Sequence, residues 1–227
     1  MLLTAKQISK FFGPKLVFKN IDLSVSEGEI VLLVGANGTG KSTLLRILSG
    51  LARPTQGDVQ SELDEAGIGY MGHETFIYPQ MTALENLRFW ARLYGLQSEH
   101  KHYMGLLKKV GLAGLAQERP AHFSRGMIQR LSLARVLLIE PALLFLDEPS
   151  TGLDRSSQGL LKEEIIAART RGAGIVWVSH HEEDDVQLAN RVFVLKDKKG
   201  ILFSSPQERL AALKLESEYE PGEWACN

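Results

Sequence analysis

A glycine-rich stretch, Gly35-Ala36-Asn37-Gly38-Thr39-Gly40-Lys41-Ser42-Thr43, constrains this chain more than any other feature. It fits the pattern G-x-x-x-x-G-K-[ST] in full, and its neighbours supply the context that pattern requires. In front of it, Glu29 to Val34 is a short apolar run rich in β-branched residues, which reads as a buried strand. Behind it, Leu44, Leu45, Ile47, Leu48 and Leu51 fall on one helical face. Strand, loop and helix in that order converge backbone N–H groups and a helix N-terminus on an anion. The expected ligand is a nucleoside triphosphate cradled by Gly35, Asn37, Gly38, Gly40 and Thr43. Lys41 places a point charge on the outer phosphates, and Ser42 offers a hydroxyl to Mg²⁺.

The 227 residues suit one domain with ample chain for a core. A net charge of −1 provides no field for holding nucleic acid, and no basic run exceeds Lys108-Lys109 or Lys196-Asp197-Lys198-Lys199. Both runs read as solvated faces or turns. The single cysteine, Cys226, excludes an intramolecular disulfide and agrees with a cytoplasmic setting. No apolar run approaches the length of a membrane span, so an attachment to a membrane requires a partner.

Along the chain, residues 1–34 alternate strand-like runs with turns at Phe11-Phe12-Gly13-Pro14 and Ser26-Glu27-Gly28-Glu29, and Leu16 to Val25 reads as a strand. Ile68 to Met71 reads as a short buried strand. From Thr82 to about Leu138 the pattern turns helical. It begins with a capping box at Thr82-Ala83-Leu84-Glu85, followed by Leu84, Leu87, Phe89, Trp90, Leu93 and Tyr94. Ser124 opens a further helix carrying Leu131, Leu133, Ala134, Val136, Leu137 and Leu138. Strands return at Ala142–Leu146, Gly174–Ser179, Arg191–Leu195 and Ile201–Phe203, with a helix over Glu163–Arg171 between the first two. This alternation predicts an α/β fold, a parallel sheet covered on both faces, with the helical stretch inserted into it. The expected division is one domain over 1–227. Its α/β core comprises 1–75 and 140–205, the helical part 76–139, and a C-terminal helix and acidic tail 206–227.

Leu143-Leu144-Phe145-Leu146-Asp147-Glu148 is a strand that ends in two carboxylates. In phosphate-loop enzymes an acid here holds Mg²⁺ opposite the loop hydroxyl, which assigns that role to Asp147. Glu148 is then placed to accept a proton from attacking water or to orient it. Phe123-Ser124-Arg125-Gly126-Met127 reads as a second anion-binding helix start, more than a chain with one phosphate loop needs.

The loop, Ser124-Arg125-Gly126-Met127, Leu146 to Asp154 and Ser179-His180 stand in an order that resembles the nucleotide-binding subunit of ATP-binding-cassette transporters. The resemblance covers about residues 2–205. It implies a P-loop, RecA-like core with an N-terminal antiparallel β subdomain, an inserted helical subdomain, and an ATPase activity coupled to transport. It also implies a head-to-tail pair in which ATP lies between the glycine loop of one copy and the Ser124–Gly126 helix start of a second copy or related cassette. A membrane subunit would be the further partner, with this chain on the inner face of the membrane. On that footing Phe12 stacks on adenine, where the alternative is a turn aromatic. His180 contacts the γ-phosphate, with His181 as the competing residue, and Asp154 communicates across the pair.

Two places depart from the family pattern. Arg125 and Met127 stand where a glycine and a glutamine are usual, so Arg125 either adds charge near phosphate or faces solvent. Gly72-His73-Glu74-Thr75 lacks the expected glutamine after the Ile68–Met71 strand; Glu74 offers an oxygen to Mg²⁺ in its place. These segments, with Leu84 to Trp90, look most like the haem-exporter ATPase of cytochrome c maturation. Phe76, Tyr78, Phe89 and Trp90 fall where the family docks its membrane partner, or else belong to the helical core. The competing readings are a soluble cassette acting without a membrane partner, a cassette for another cargo, a kinase or GTPase, and a regulatory cassette without catalysis. The chain has no Asn-Lys-x-Asp motif for guanine, and a kinase would not explain the second helix start.

Overall fold

The computed structural model describes residues 1–64, 67–179, 183–204 and Glu208. The expected tail over 206–227 falls outside the described residues apart from Glu208, and so do His180 and His181.

Two sheets organise the chain. Strands β1 (Leu3–Phe12), β2 (Lys15–Val25) and β4 (Gln56–Ser61) form an antiparallel sheet in the order β2-β1-β4. A six-stranded sheet runs in the order β5-β6-β7-β3-β8-β9. Its strands are β3 (Ile30–Val34), β5 (Ile68–Met71), β6 (Leu143–Asp147), β7 (Gly174–Val178), β8 (Arg191–Lys196) and β9 (Lys199–Phe203). Pairing is parallel throughout except for β8 with β9.

Strands β3, β6 and β7 of the larger sheet are buried on both faces, and their side chains divide by the two-residue period of a strand. Ile30, Leu32 and Val34 of β3, with Leu144 and Leu146 of β6, join one core. Val31 and Leu33, with Leu143 and Phe145, join the other. The second core is closed by α1 (Lys41–Leu48), which contributes Leu44, Leu45, Ile47 and Leu48, and by the three-stranded sheet. The first is covered by the inserted helices α2 (Ala83–Leu93), α3 (His100–Lys109) and α4 (Arg125–Leu137) and by α5 (Arg155–Thr170). A short helix, α6 (Glu183–Leu188), precedes β8.

Several sequence expectations shift. Helix α1 ends at Leu48, and Leu51 lies beyond it with 61% of its surface exposed, so it does not share the buried face. Phe11 and Phe12 belong to β1, and the turn is confined to Gly13 and Pro14. Helix α5 starts at Arg155 rather than Glu163, because the Asp154 carboxylate caps it by accepting from the Ser157 N–H at 2.7 Å. Strand β4 and helix α3 escape periodicity: β4 is a polar strand, exposed except at half-buried Val59, and α3 buries only Tyr103, Leu106 and Leu107. The capping box at Thr82 and Glu85 is present, as is the Ser124 cap on α4.

The segment between β5 and α2 is tied to the inserted helices by polar contacts. Asn86, fully buried on α2, accepts from the Tyr78 N–H at 2.8 Å and donates to the carbonyls of Tyr78, Met81 and Thr82. Ser132 on α4 donates to Thr75 C=O at 3.1 Å, and the Trp90 indole donates to Phe76 C=O at 3.0 Å. Below them the buried Arg135 guanidinium lies 5.1 Å from the Trp90 ring centroid and 5.6 Å from that of Phe76, and donates to Tyr70 C=O at 3.2 Å. Leaving buried backbone groups without a partner costs about 1–3 kcal/mol each. Asn86→Ala removes four such contacts, so we expect its thermal midpoint to fall by about 5–10 °C. Thermal unfolding followed by circular dichroism measures this, and a fall under about 2 °C would show that Asn86 holds nothing in place.

Candidate functional site

The glycine loop closes the gap between β3 and α1, and two of its glycines are required by space as well as by conformation. Gly35 has φ 152°, and a Cβ there would lie 2.5 Å from Leu195 C=O on β8. Gly40, the residue ahead of α1, has φ 107°, and a Cβ would lie 2.5 Å from Val17 Cγ1. The loop is therefore pressed between the two sheets. Ala36 C=O accepts from both the N–H and the hydroxyl of Thr39. The first helical hydrogen bond runs from Leu44 N–H to Gly40 C=O, so the N–H groups of Ser42 and Thr43 precede the helical ladder and are offered to an anion.

Lys41 is 5% exposed, and its ammonium donates to Gly35 C=O and to Ala36 C=O. The loop thus holds a cation at its centre. Above it lies a cavity of about 550 Å³, a size suited to a nucleotide. The glycine loop, Ser42, Thr43 and Glu148 line it together with Phe12, Lys15, Lys196 and Lys198. Phe12 stands 58% exposed at this wall, with the Lys10 ammonium 5.2 Å from its ring centroid. A planar base has an aromatic face available there.

At the C-terminal end of β6, buried Asp147 accepts a hydrogen bond from the Ser42 hydroxyl at 3.1 Å. Burial raises the Asp147 pKa above its ordinary 3.8. The Ser42 hydrogen bond and the nearby His73 and Lys41 oppose that rise, and Glu148 adds to it. Glu148 takes φ 52°, a left-handed backbone that turns the chain away from the strand, and its N–H donates to Val178 C=O. Glu148 and Asp147 therefore leave the same strand end in different directions.

The neighbour of Glu74, His73, is the residue of this segment that approaches Asp147. Ligand atoms of His73, Asp147 and Glu148 lie within 4.8 Å of one another, with His73 Nε2 3.8 Å from Asp147 Oδ2. Glu74 is exposed and does not join this group. Just before His73 the chain packs closely at Gly72, where a Cβ would meet Tyr70 Cε1 at 2.7 Å. Sequence reading missed His73, although it occupies the segment already singled out.

Ser124 and Gly126 do not line the cavity. The Ser124 hydroxyl caps α4 by accepting from the Met127 N–H at 3.3 Å, and Gly126 packs where a Cβ would lie 3.2 Å from Gly152 C=O. The Arg125 side chain is exposed and runs beside Gly152. Asp154 likewise lies away from the cavity, where the Ser157 N–H lowers its pKa. His180 lies outside the described residues, but the residue before it is anchored. Ser179 donates to buried Asp185 at 2.6 Å, and Lys162 pairs with the same carboxylate at 2.9 Å. The acidic run Glu182 to Asp185 carried the only sequence hint of Asp185.

Among known proteins, the pattern of the ABC transporter family matches residues 18–151. The chain is 32% identical over 223 residues to the linearmycin resistance ATP-binding protein LnrL of Bacillus subtilis (strain 168), covering 93% of this chain and 72% of that protein. It is 33% identical over 217 residues to the glutamine transport ATP-binding protein GlnQ of Escherichia coli (strain K12), covering 89% and 90%. The solved ATP-binding subunit of an ABC transporter superposes with a TM-score of 0.84 at 27% identity over 95% of each chain.

Since Asp147 binds its proton more tightly in the folded than in the unfolded chain, its charge opposes folding. Stability falls as pH rises from 3.8 through the raised folded value. Asp147→Asn should therefore raise the thermal midpoint of the nucleotide-free chain at pH 7 by about 2 °C or more. Scans from pH 7 downward should show that gap closing toward the ordinary carboxylate range. A variant less stable than the wild type at pH 7 would contradict this account.

Proposed function

The chain belongs to the ABC transporter family as an ATP-binding subunit that hydrolyses ATP for transport, and we propose that it works as one half of a head-to-tail pair enclosing two ATP molecules. The observation that carries this reading is the division of the site. The glycine loop, Lys41 and Glu148 share one cavity, whereas the helix start at Ser124 and Gly126 lies outside it. A second copy, or a related cassette, would bring that helix start to the open side of the nucleotide.

In this reading Phe12 stacks on adenine, and Gly35, Asn37, Gly38, Gly40 and Thr43 wrap the phosphates with backbone N–H groups. Lys41 leaves its carbonyl partners for phosphate oxygen. The donor set at Ser42 and Asp147 fits Mg²⁺, a hard cation, because both groups offer oxygen and stand 3.1 Å apart. Those two residues would hold it, and when bound it would neutralise charge on the outer phosphates. Glu148 orients the attacking water and accepts its proton. His180 acts beside the γ-phosphate, and Asp154 lies where the two copies meet. Catalysis then rests on positioning and fixed charge.

Among the described residues no helix is long and apolar enough to cross a membrane. We place the chain on the inner face of a membrane, held by an integral subunit docked at the exposed aromatics Phe76 and Tyr78, which are 49% and 43% exposed, beside Phe89 and Trp90. For cargo, the residues Gly72 to Phe76, Leu84 to Trp90 and Ser124 to Met127 support haem export in cytochrome c maturation. That support is the residue text alone; the relatives above are named for linearmycin resistance and glutamine transport. Affinity capture from membranes with the tagged chain tests the partner, and a membrane subunit for another cargo would refute the haem reading.

Glu148→Gln should lower phosphate release by at least about a hundredfold while ATP-dependent dimers accumulate. Ser124→Arg should abolish those dimers and leave nucleotide binding by the single chain intact. Phosphate release and light scattering with ATP measure both effects. Near-normal turnover by Glu148→Gln, or persisting dimers of Ser124→Arg, would overturn the corresponding role.

A further inference from the structure

Beside the nucleotide cavity, the group of His73, Asp147 and Glu148 carries one donor that differs in kind from the others. Ser42, Asp147 and Glu148 offer oxygen, whereas His73 offers an imidazole nitrogen. The Asp147 carboxylate is shared between two sides: Oδ1 accepts from the Ser42 hydroxyl at 3.1 Å, and Oδ2 faces His73 Nε2 at 3.8 Å. The latter exceeds a hydrogen bond. It falls within the roughly 3.0–4.2 Å that separates two donors each about 2.1 Å from one small cation.

His73 is held in this place by its chain neighbours. Tyr70 folds over Gly72 on one side, and on the other Thr75 and Phe76 are fastened to Ser132 and Trp90. Phe76 adopts a left-handed φ of 52°, so the segment is bent back toward the helices after passing the carboxylates. The imidazole itself remains 60% exposed, reachable by an arriving cation.

We propose that His73 is a ligand to the divalent cation bound with the nucleotide, and that its nitrogen shifts the chain's preference from Mg²⁺ toward Co²⁺. Mg²⁺ demands oxygen donors and dehydrates reluctantly, whereas later first-row ions take imidazole more readily. This rests on the reading of the cavity as a site for ATP and a divalent cation. No step of hydrolysis is altered; the choice of cation is.

Pulsed electron paramagnetic resonance of the chain with Mn²⁺ and ADP tests the ligand directly. Directly bound imidazole should give a ¹⁴N coupling that becomes a ¹⁵N coupling in protein labelled with ¹⁵N-histidine. His73→Ala and His73→Gln should both lose it. In parallel, the ratio of Co²⁺ to Mg²⁺ affinity, measured by competition in the presence of ADP, should fall by about tenfold in both variants. The glutamine variant keeps a polar side chain of similar reach, so a general disturbance of the segment would not explain equal changes in both. Absence of the nitrogen coupling in wild type with Mn²⁺ bound, its survival in either variant, or an unchanged ratio would overturn the assignment. Failure of the wild type to bind ADP with any divalent cation would instead overturn the nucleotide reading itself.

Discussion

The contact between Ser42 and Asp147 joins the start of α1 to the end of β6 across 105 residues of sequence, and most of the site depends on it. Ser42 is carried by the glycine loop, whose closeness to β8 leaves no room for a side chain at Gly35. Asp147 is carried by a strand buried on both faces, so its position follows from the packing of Leu143 to Leu146. In the proposed function these two residues would hold the cation beside the phosphates. Glu148, one residue further, inherits its place from the same strand and from its left-handed turn.

That arrangement opposes part of the folding free energy. A buried carboxylate with a raised pKa at Asp147 and left-handed backbone at Glu148 are each less favourable than the alternatives a purely structural sequence would use. They occur together at the C-terminal end of β6, an interior strand of the sheet. Two large apolar cores carry the fold, leaving these strand ends free to be organised for charge. This is the usual balance between stability and function at a site, seen here in named residues.

The inserted helices have a second role beyond covering the sheet. Through Asn86, Ser132, Trp90 and Arg135 they grip the segment between β5 and α2, the same segment that delivers His73 to Asp147. The exposed aromatics Phe76 and Tyr78 and the His73 imidazole beside Asp147 therefore belong to one segment held against the helices. The buried Arg135 stack makes this connection stiff, since a guanidinium between rings and a carbonyl has little freedom.

Local chemistry was legible without coordinates wherever one physical rule dominated. The phosphate loop is a spacing of glycines with a lysine and a hydroxyl; the central strands are continuous apolar runs; the caps at Thr82 and Ser124 are short-range hydrogen bonds. Strand β4 and the early start of α5 were not legible, because a polar strand pairs through its backbone and a cap acts before any apolar periodicity appears. The sequence by itself determined the phosphate loop, the paired acids at 147 and 148, and the alternation of strands and helices. Only the tertiary structure decided that His73 rather than Glu74 meets Asp147, that Asp185 anchors Ser179, and that Ser124 stands outside the cavity of its own chain. The reason is physical: spacing along the chain governs neighbours within a turn of helix or a strand, whereas contacts across the sheet depend on how the two cores pack.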